Sequence, residues 1–157
     1  MITLIDQRLL DEVCAEAAAS PRRRKNRNFH RSDDQPGHRL LNAMQPDSYI
    51  PPHRHLDPNK DETMVVLRGA IALLVFDDVG EVIQCSKVGA GGTAIGVDIP
   101  HGVWHTVIAL ESCTVFLEAK AGPYLPLTPE EKAPWAPPEG SPEAPAYFEK
   151  LQQQVAG

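Results

Sequence analysis

No apolar run in this sequence approaches the roughly 20 residues needed to span a bilayer, so membrane insertion is not expected. No basic-then-apolar segment opens it. Cysteine is scarce: Cys14, Cys85 and Cys113 are odd in number, widely separated and outside any zinc-ribbon spacing. These absences together lead to the expectation of a cytoplasmic protein whose thiols are reduced, each a small buried residue. Positive charge is also in deficit, 15 Lys and Arg against 21 Asp and Glu for a net charge of -6, which argues against nucleic acid as a partner. There is no internal repeat. The glycine cluster at 89–92 lacks the helical pattern that would follow a phosphate-binding loop, and reads as a tight turn. At 157 residues the chain suffices for one domain with a core of its own.

What the chain does contain is arranged in short periodic segments. Over residues 4–19, Leu9, Leu10, Val13, Cys14 and Ala17 recur at helical spacing, which predicts an amphipathic helix capped by Asp6 and ended by Ser20-Pro21. From Arg39 the pattern turns strand-like. Residues 39–44 alternate and set a polar Asn42 among apolar neighbours, as either a hydrogen-bonded core residue or a ligand contact. Residues 70–76 are apolar throughout and read as a strand buried on both faces, with a hairpin turn at 77–80 and a return at 81–84. Residues 114–119 form a further strand carrying Glu118, whose face parity alone leaves open. Such short strands, broken by Gly, Pro and Asp turns, indicate an all-β barrel or sandwich. Much of the proline, 15 residues in all, falls after Pro123. That segment is expected to lie extended on the surface, pinned by Tyr124, Trp135 and Tyr147, before a short terminal helix.

One stretch is strongly basic. Arg22, Arg23, Arg24, Lys25, Arg27 and Arg31 fall within ten residues that contain no acid. On composition it is a solvated linker. The alternative is an anion-binding arm, whose arginines fork onto phosphate or carboxylate.

The chemistry concentrates in PPHRHLDPNKDETMVVLRG, residues 51–69. His53 and His55 are two apart, so on an extended chain they share a face. A turn-rich break follows, and then Glu62. A hairpin centred on Pro58-Asn59 would set His55 opposite Glu62 and His53 opposite Met64, at the separation of cross-strand partners. In IPHGVWHTVI, residues 99–108, a Pro-Gly turn enters a strand on which His105 shares its face with Val103 and Val107. Three imidazoles and one carboxylate suit a single divalent iron, manganese, nickel, copper or zinc ion, and are too rich in nitrogen for calcium or magnesium.

This pattern, His53-x-His55, Glu62 and Gly69, then Pro100-x-Gly102-x-x-His105, resembles the two motifs of the cupins. Asp47 stands where those motifs usually have a glycine, Ala109 where they have an asparagine, and the six residues between His55 and Glu62 imply an enlarged loop. RKNRNFH at 24–30, RLLNAM at 39–44, KDET at 60–63, GPY at 122–124 and APWAPPEG at 133–140 are further similar to the WbuC family, small cupin metalloproteins associated with bacterial surface-polysaccharide (O-antigen) gene clusters. The resemblance implies an all-β cupin double-stranded β-helix, or jelly-roll barrel, with an N-terminal α-helix at 1–21, the barrel and its basic arm at 22–125, and a Pro-rich C-terminal tail at 126–157. It also implies His53, His55, Glu62 and His105 as metal ligands, and a homodimer formed by sheet extension.

The substrate contacts expected are Arg23, Arg24, Lys25, Asn28, His30, Asn42 and Tyr124, around an anionic or carbohydrate small molecule. His30 is expected beside the site or on the surface, not on the metal. No acid–base group besides the ligands stands out, although His101, Glu118, Tyr124 and Arg68 fall within reach of the site. Three functions fit this set: a protein acting on a sugar or nucleotide-sugar intermediate of surface-polysaccharide synthesis, an iron-dependent small-molecule dioxygenase, and a non-catalytic sugar-binding or regulatory module.

Overall fold

The computed structural model describes residues 1–157. Asp6 accepts a hydrogen bond from Leu9 N at 2.9 Å and starts helix α1, Gln7–Ala19, which ends at Ser20 before Pro21. Eight strands follow: β1 (Arg24–Asn28), β2 (Gly37–Met44), β3 (Glu62–Arg68), β4 (Ala70–Phe76), β5 (Val82–Gly89), β6 (Gly96–Ile99), β7 (Trp104–Ala109) and β8 (Thr114–Ala121). The proline-rich tail carries a short 3-10 turn at Pro129–Glu131, and the chain ends in helix α2, Ala144–Ala156. No helix is long and apolar enough to cross a membrane.

The strands form two antiparallel sheets, β1-β2-β8-β3-β6 and β5-β4-β7. Their inner faces close on a core that includes Met44, Met64, Val66, Ile71, Leu73, Val107 and Phe116. This is the double-stranded β-helix expected, and each sheet is covered outside by a helix. The buried face of α1, Leu9, Leu10, Val13, Cys14 and Ala17, packs on Leu41, Ala43 and Val115 of the larger sheet. Burying each larger side chain there stabilises by about 1.5–3 kcal/mol. Phe148 and Leu151 of α2 pack with Leu74, Phe76, Trp104 and Ile108 on the smaller sheet. Strand β4 is therefore buried on both faces, one against the interior and one against α2, which is why it shows no alternation. Within the tail, Trp135 lies edge-on to Trp104, with ring centroids 5.1 Å apart, so an aromatic does pin this segment to the barrel. Gly69 joins β3 to β4 with φ +75°, and a Cβ there would stand 2.5 Å from Thr114 Oγ1.

Three expectations are corrected. Cys14 and Cys113 are not free thiols but form a disulfide across 99 residues, because α1 lays Cys14 over the turn that precedes β8. Cys85, the remaining cysteine, is exposed rather than buried. The hairpin between the histidine segment and β3 does not form either. Strand β3 pairs with β6 and β8, placing Glu62 opposite Ile99, and Met64 opposite Val97 and Glu118. His53 instead bridges His105 and Lys132. The loop is too long to close a tight turn, so both edges of β3 are taken by other strands.

Candidate metal centre and cavity

His53 and His105 come together by backbone pairing. His53 N donates to His105 O at 3.0 Å, and His105 N donates to His53 O at 2.9 Å. Directly opposed residues share a face, so both rings enter the barrel, with centroids 4.7 Å apart. Glu62 opens β3 on the same inner face, and its side chain is 3% exposed. Ligand atoms of His53, His55 and Glu62 all lie within 4.8 Å of one another. His105 Nε2 is 3.0 Å from Glu62 Oε2, and His55 Nε2 is 3.0 Å from Glu62 Oε1. Three of the four residues singled out in the sequence thus form one cluster, and His105 adjoins it through Glu62 and His53.

The hydrogen bonds orient these rings. His53 Nδ1 faces Pro51 O at 3.0 Å and His105 Nδ1 faces Val103 O at 2.9 Å. A ring nitrogen facing a carbonyl must carry the proton, since two lone pairs would otherwise oppose each other. With Nδ1 so engaged, Nε2 is the atom each ring has left for the cluster, and at His105 it lies 3.0 Å from Glu62 Oε2. His53 is held neutral: burial, and then the adjacent His105, press its pKa down to about 3. Burial alone would raise Glu62, but the His105 contact, the neighbouring His55 ring and the charge of Lys120 outweigh it and keep the carboxyl well below the usual range. His55 Nε2 is buried and makes no hydrogen bond, though it lies 3.0 Å from Glu62 Oε1. Imidazole nitrogens and a buried carboxylate converging in this way make a candidate cation site. The donor set fits a divalent transition metal, and the Nδ1 contacts are the outer-shell bonds that orient such ligands.

Beyond this cluster the barrel opens into a cavity of about 820 Å³. Arg24, Lys25, Asn42 and Tyr124 border it, while Arg23, Asn28 and His30 do not. Arg23 Nε holds Asp47 at 3.0 Å, and the ring of His30 stacks on His38, centroids 3.8 Å apart. The acids that balance the basic stretch come from elsewhere in the chain. Arg22 and Arg24 both fork onto Glu139, and Arg27 meets Glu16. Of the residues within expected reach, His101 is occupied by Asp61 at 2.8 Å, and Arg68 by Asp11 at 2.7 Å outside the cavity.

A polar network was not anticipated. Lys120 Nζ lies 3.3 Å from Glu62 Oε1 and 3.0 Å from Glu118 Oε1, and Asn42 Nδ2 donates to Glu118 Oε2 at 2.7 Å. Burial pushes the Glu118 carboxyl up. For Lys120 burial works the other way, but the two carboxylates prevail and raise it, so the ammonium stays charged. Strand parity held the signal: Lys120 is two residues past Glu118 and so on its face, but the strand runs beyond the 114–119 expected for it.

The fold and this cluster together define a cupin barrel with a candidate metal centre. The chain belongs to the family described as domain of unknown function DUF6016, whose profile matches residues 5–88, over half its length. That match takes in His53, His55 and Glu62 and stops before His105. No curated protein matches it by sequence. Among solved structures, CapF bound to the inhibitor 3-isopropenyl-tropolone aligns with TM-score 0.56 and 22% identity, over 68% of this chain and 30% of that one. KdgF from Halomonas sp. aligns with TM-score 0.50 and 15% identity, over 66% and 83%. An RmlC-like cupin with a double-stranded β-helix fold from Methanocaldococcus jannaschii aligns at 0.48 with 13% identity, over 66% and 84%. Identities this low speak to the fold alone.

Proposed function

We propose that this protein binds one divalent transition metal through His53, His55, Glu62 and His105, and uses the bound ion to hold or convert a sugar or nucleotide-sugar intermediate of surface-polysaccharide synthesis. The metal part rests on one observation: His53, His55 and Glu62 offer ligand atoms within 4.8 Å of one another, and His105 Nε2 lies 3.0 Å from the same buried carboxylate. A bound ion would supply Lewis acidity toward a carbonyl or hydroxyl oxygen. The chain's own residues then position the ligand. Asn42 and Lys120 present amide and ammonium donors on the cavity wall, and Tyr124 offers an exposed ring at its rim. About 820 Å³ accommodates a molecule of sugar-phosphate size. The similarity to the WbuC sequences supplies the biosynthetic setting.

The test is co-purification: untagged protein analysed for metals and, by mass spectrometry, for retained sugars or nucleotide-sugars. One equivalent of transition metal and a retained carbohydrate support the reading. Metal-loaded protein that retains none, and binds none from a nucleotide-sugar panel, refutes the carbohydrate part.

A further inference from the structure

The charged groups around the cavity are almost all engaged, some with one another and some with neutral N–H groups. Glu62 and Glu118 share Lys120, and Glu118 also takes the Asn42 amide. At the mouth, Glu131 accepts from the backbone of Leu56 and Thr128, and Asp57 from Asn59 N and Nδ2. Among the cations, Arg22 and Arg24 are paired with Glu139. Lys25 borders the cavity but sits opposite Ala43, which packs under α1, so its side chain belongs to the outer face.

Lys60 is the exception among the cations. Its ammonium donates to two carbonyls, Ala121 O at 3.0 Å and Pro123 O, and has no carboxylate partner. Two donors to neutral acceptors leave both its charge and a third N–H unanswered. It borders the same cavity as the metal cluster, two residues before Glu62 in the chain, and its carbonyl partner Ala121 directly follows Lys120. His38 belongs to this end of the cavity as well. Its Nε2 is engaged by Asp33 O at 3.0 Å, and Lys60 and Lys120 both bear on its ring electrostatically.

We infer that Lys60 is the anion-binding group of this cavity, holding the phosphate or carboxylate of a sugar whose hydroxyls reach the metal cluster. This rests on the sugar reading above and moves the anion contact away from the basic stretch, where Arg22, Arg23, Arg24 and Arg27 each already have a carboxylate partner. A charge-assisted bond to an anion is roughly twice as strong as a neutral one. An unpaired ammonium in a cavity wall therefore discriminates a charged sugar from its neutral parent.

The experiment is titration calorimetry on the metal-loaded full chain with glucose 6-phosphate, glucuronate, glucose and inorganic phosphate. Lys60→Gln retains an N–H donor for the two carbonyls and removes the charge, whereas Lys60→Arg retains the charge. One of the two anionic sugars is expected to bind about tenfold or more tightly than glucose, and which one does so decides between phosphate and carboxylate. Lys60→Gln should abolish that preference without altering glucose affinity or metal content, and Lys60→Arg should keep it. Equal affinity for charged and neutral sugars overturns the assignment, as does a preference that survives Lys60→Gln. Loss of preference in Lys60→Arg as complete as in Lys60→Gln assigns Lys60 to holding the loop and also overturns it. Lys60-dependent binding of inorganic phosphate without binding of any sugar keeps the anion site and removes the sugar reading. Silence from all four probes removes both.

Discussion

His53 and His105, 52 positions apart in the chain, exchange both of their backbone hydrogen bonds, at 3.0 and 2.9 Å. This single bridge brings the first histidine segment to β7 and turns both rings inward beside Glu62. Metal content is accordingly expected to collapse in a His55→Ala, His105→Ala double variant. Losing two ligands should cost more than the about 10–100-fold that removing an outer partner typically costs. Elemental analysis of the purified variant reads the outcome, and an undiminished metal-to-protein ratio refutes the four-residue ligand set.

Glu139 ties the tail to β1 through paired bonds to Arg22 and Arg24. Burial opposes its ionisation, but the two guanidinium groups dominate and press its pKa to about 2, from an ordinary 4.5. Since the folded value is the lower one, the stabilisation is present in full above pH 4.5 and fades as pH falls from 4.5 toward 2. Glu139→Gln should cost about 1 kcal/mol at pH 7, discounted because the group is partly exposed. The difference between variant and parent, followed by urea denaturation against pH, should close on the acid side. A difference that stays constant across that window would assign it to packing.

The Cys14–Cys113 bond closes a loop of 99 residues. On the chain-entropy account such a crosslink stabilises by about 4–5 kcal/mol. Dithiothreitol, or a Cys14→Ser, Cys113→Ser double variant, is expected to lower the urea midpoint substantially. The loss should appear in the signal of α1, the element the bond fastens to the larger sheet. An unchanged midpoint on reduction contradicts this.

At Gly69 both backbone and space demand glycine: φ is +75° and an added Cβ would meet Thr114 Oγ1 at 2.5 Å. Gly69→Ala should destabilise by about 1–3 kcal/mol, because Thr114 is itself fully buried and hydrogen-bonded to Glu111 O at 2.7 Å and cannot move aside. Thermal unfolding measures this, and a variant as stable as the parent would show that the β3–β4 turn can relax.

We further propose that the chain forms a homodimer through an open sheet edge, which strands such as β1 and β5 at the ends of their sheets provide. Light scattering at micromolar concentration should report twice the mass of the chain, and a monomer would refute it.

Local pattern settled a good part of this molecule. Helical spacing and Asp6 located α1, short apolar segments and turns located most strands, and the motif spacing named His53, His55, Glu62 and His105 as candidates, although the hairpin expected to join them does not form. These features depend on neighbours a few residues away, so they are written into short windows of sequence. Pairing between distant segments is not. Which strand lies beside β3, which acids balance the basic stretch, and that Cys14 faces Cys113 were decided by the closing of the two sheets and the docking of both helices. The network of Lys120, Glu118 and Asn42 and the unpaired ammonium of Lys60 arise in the same way. Each is a common surface residue by composition, and only the shared interior of the barrel gives it a partner or withholds one.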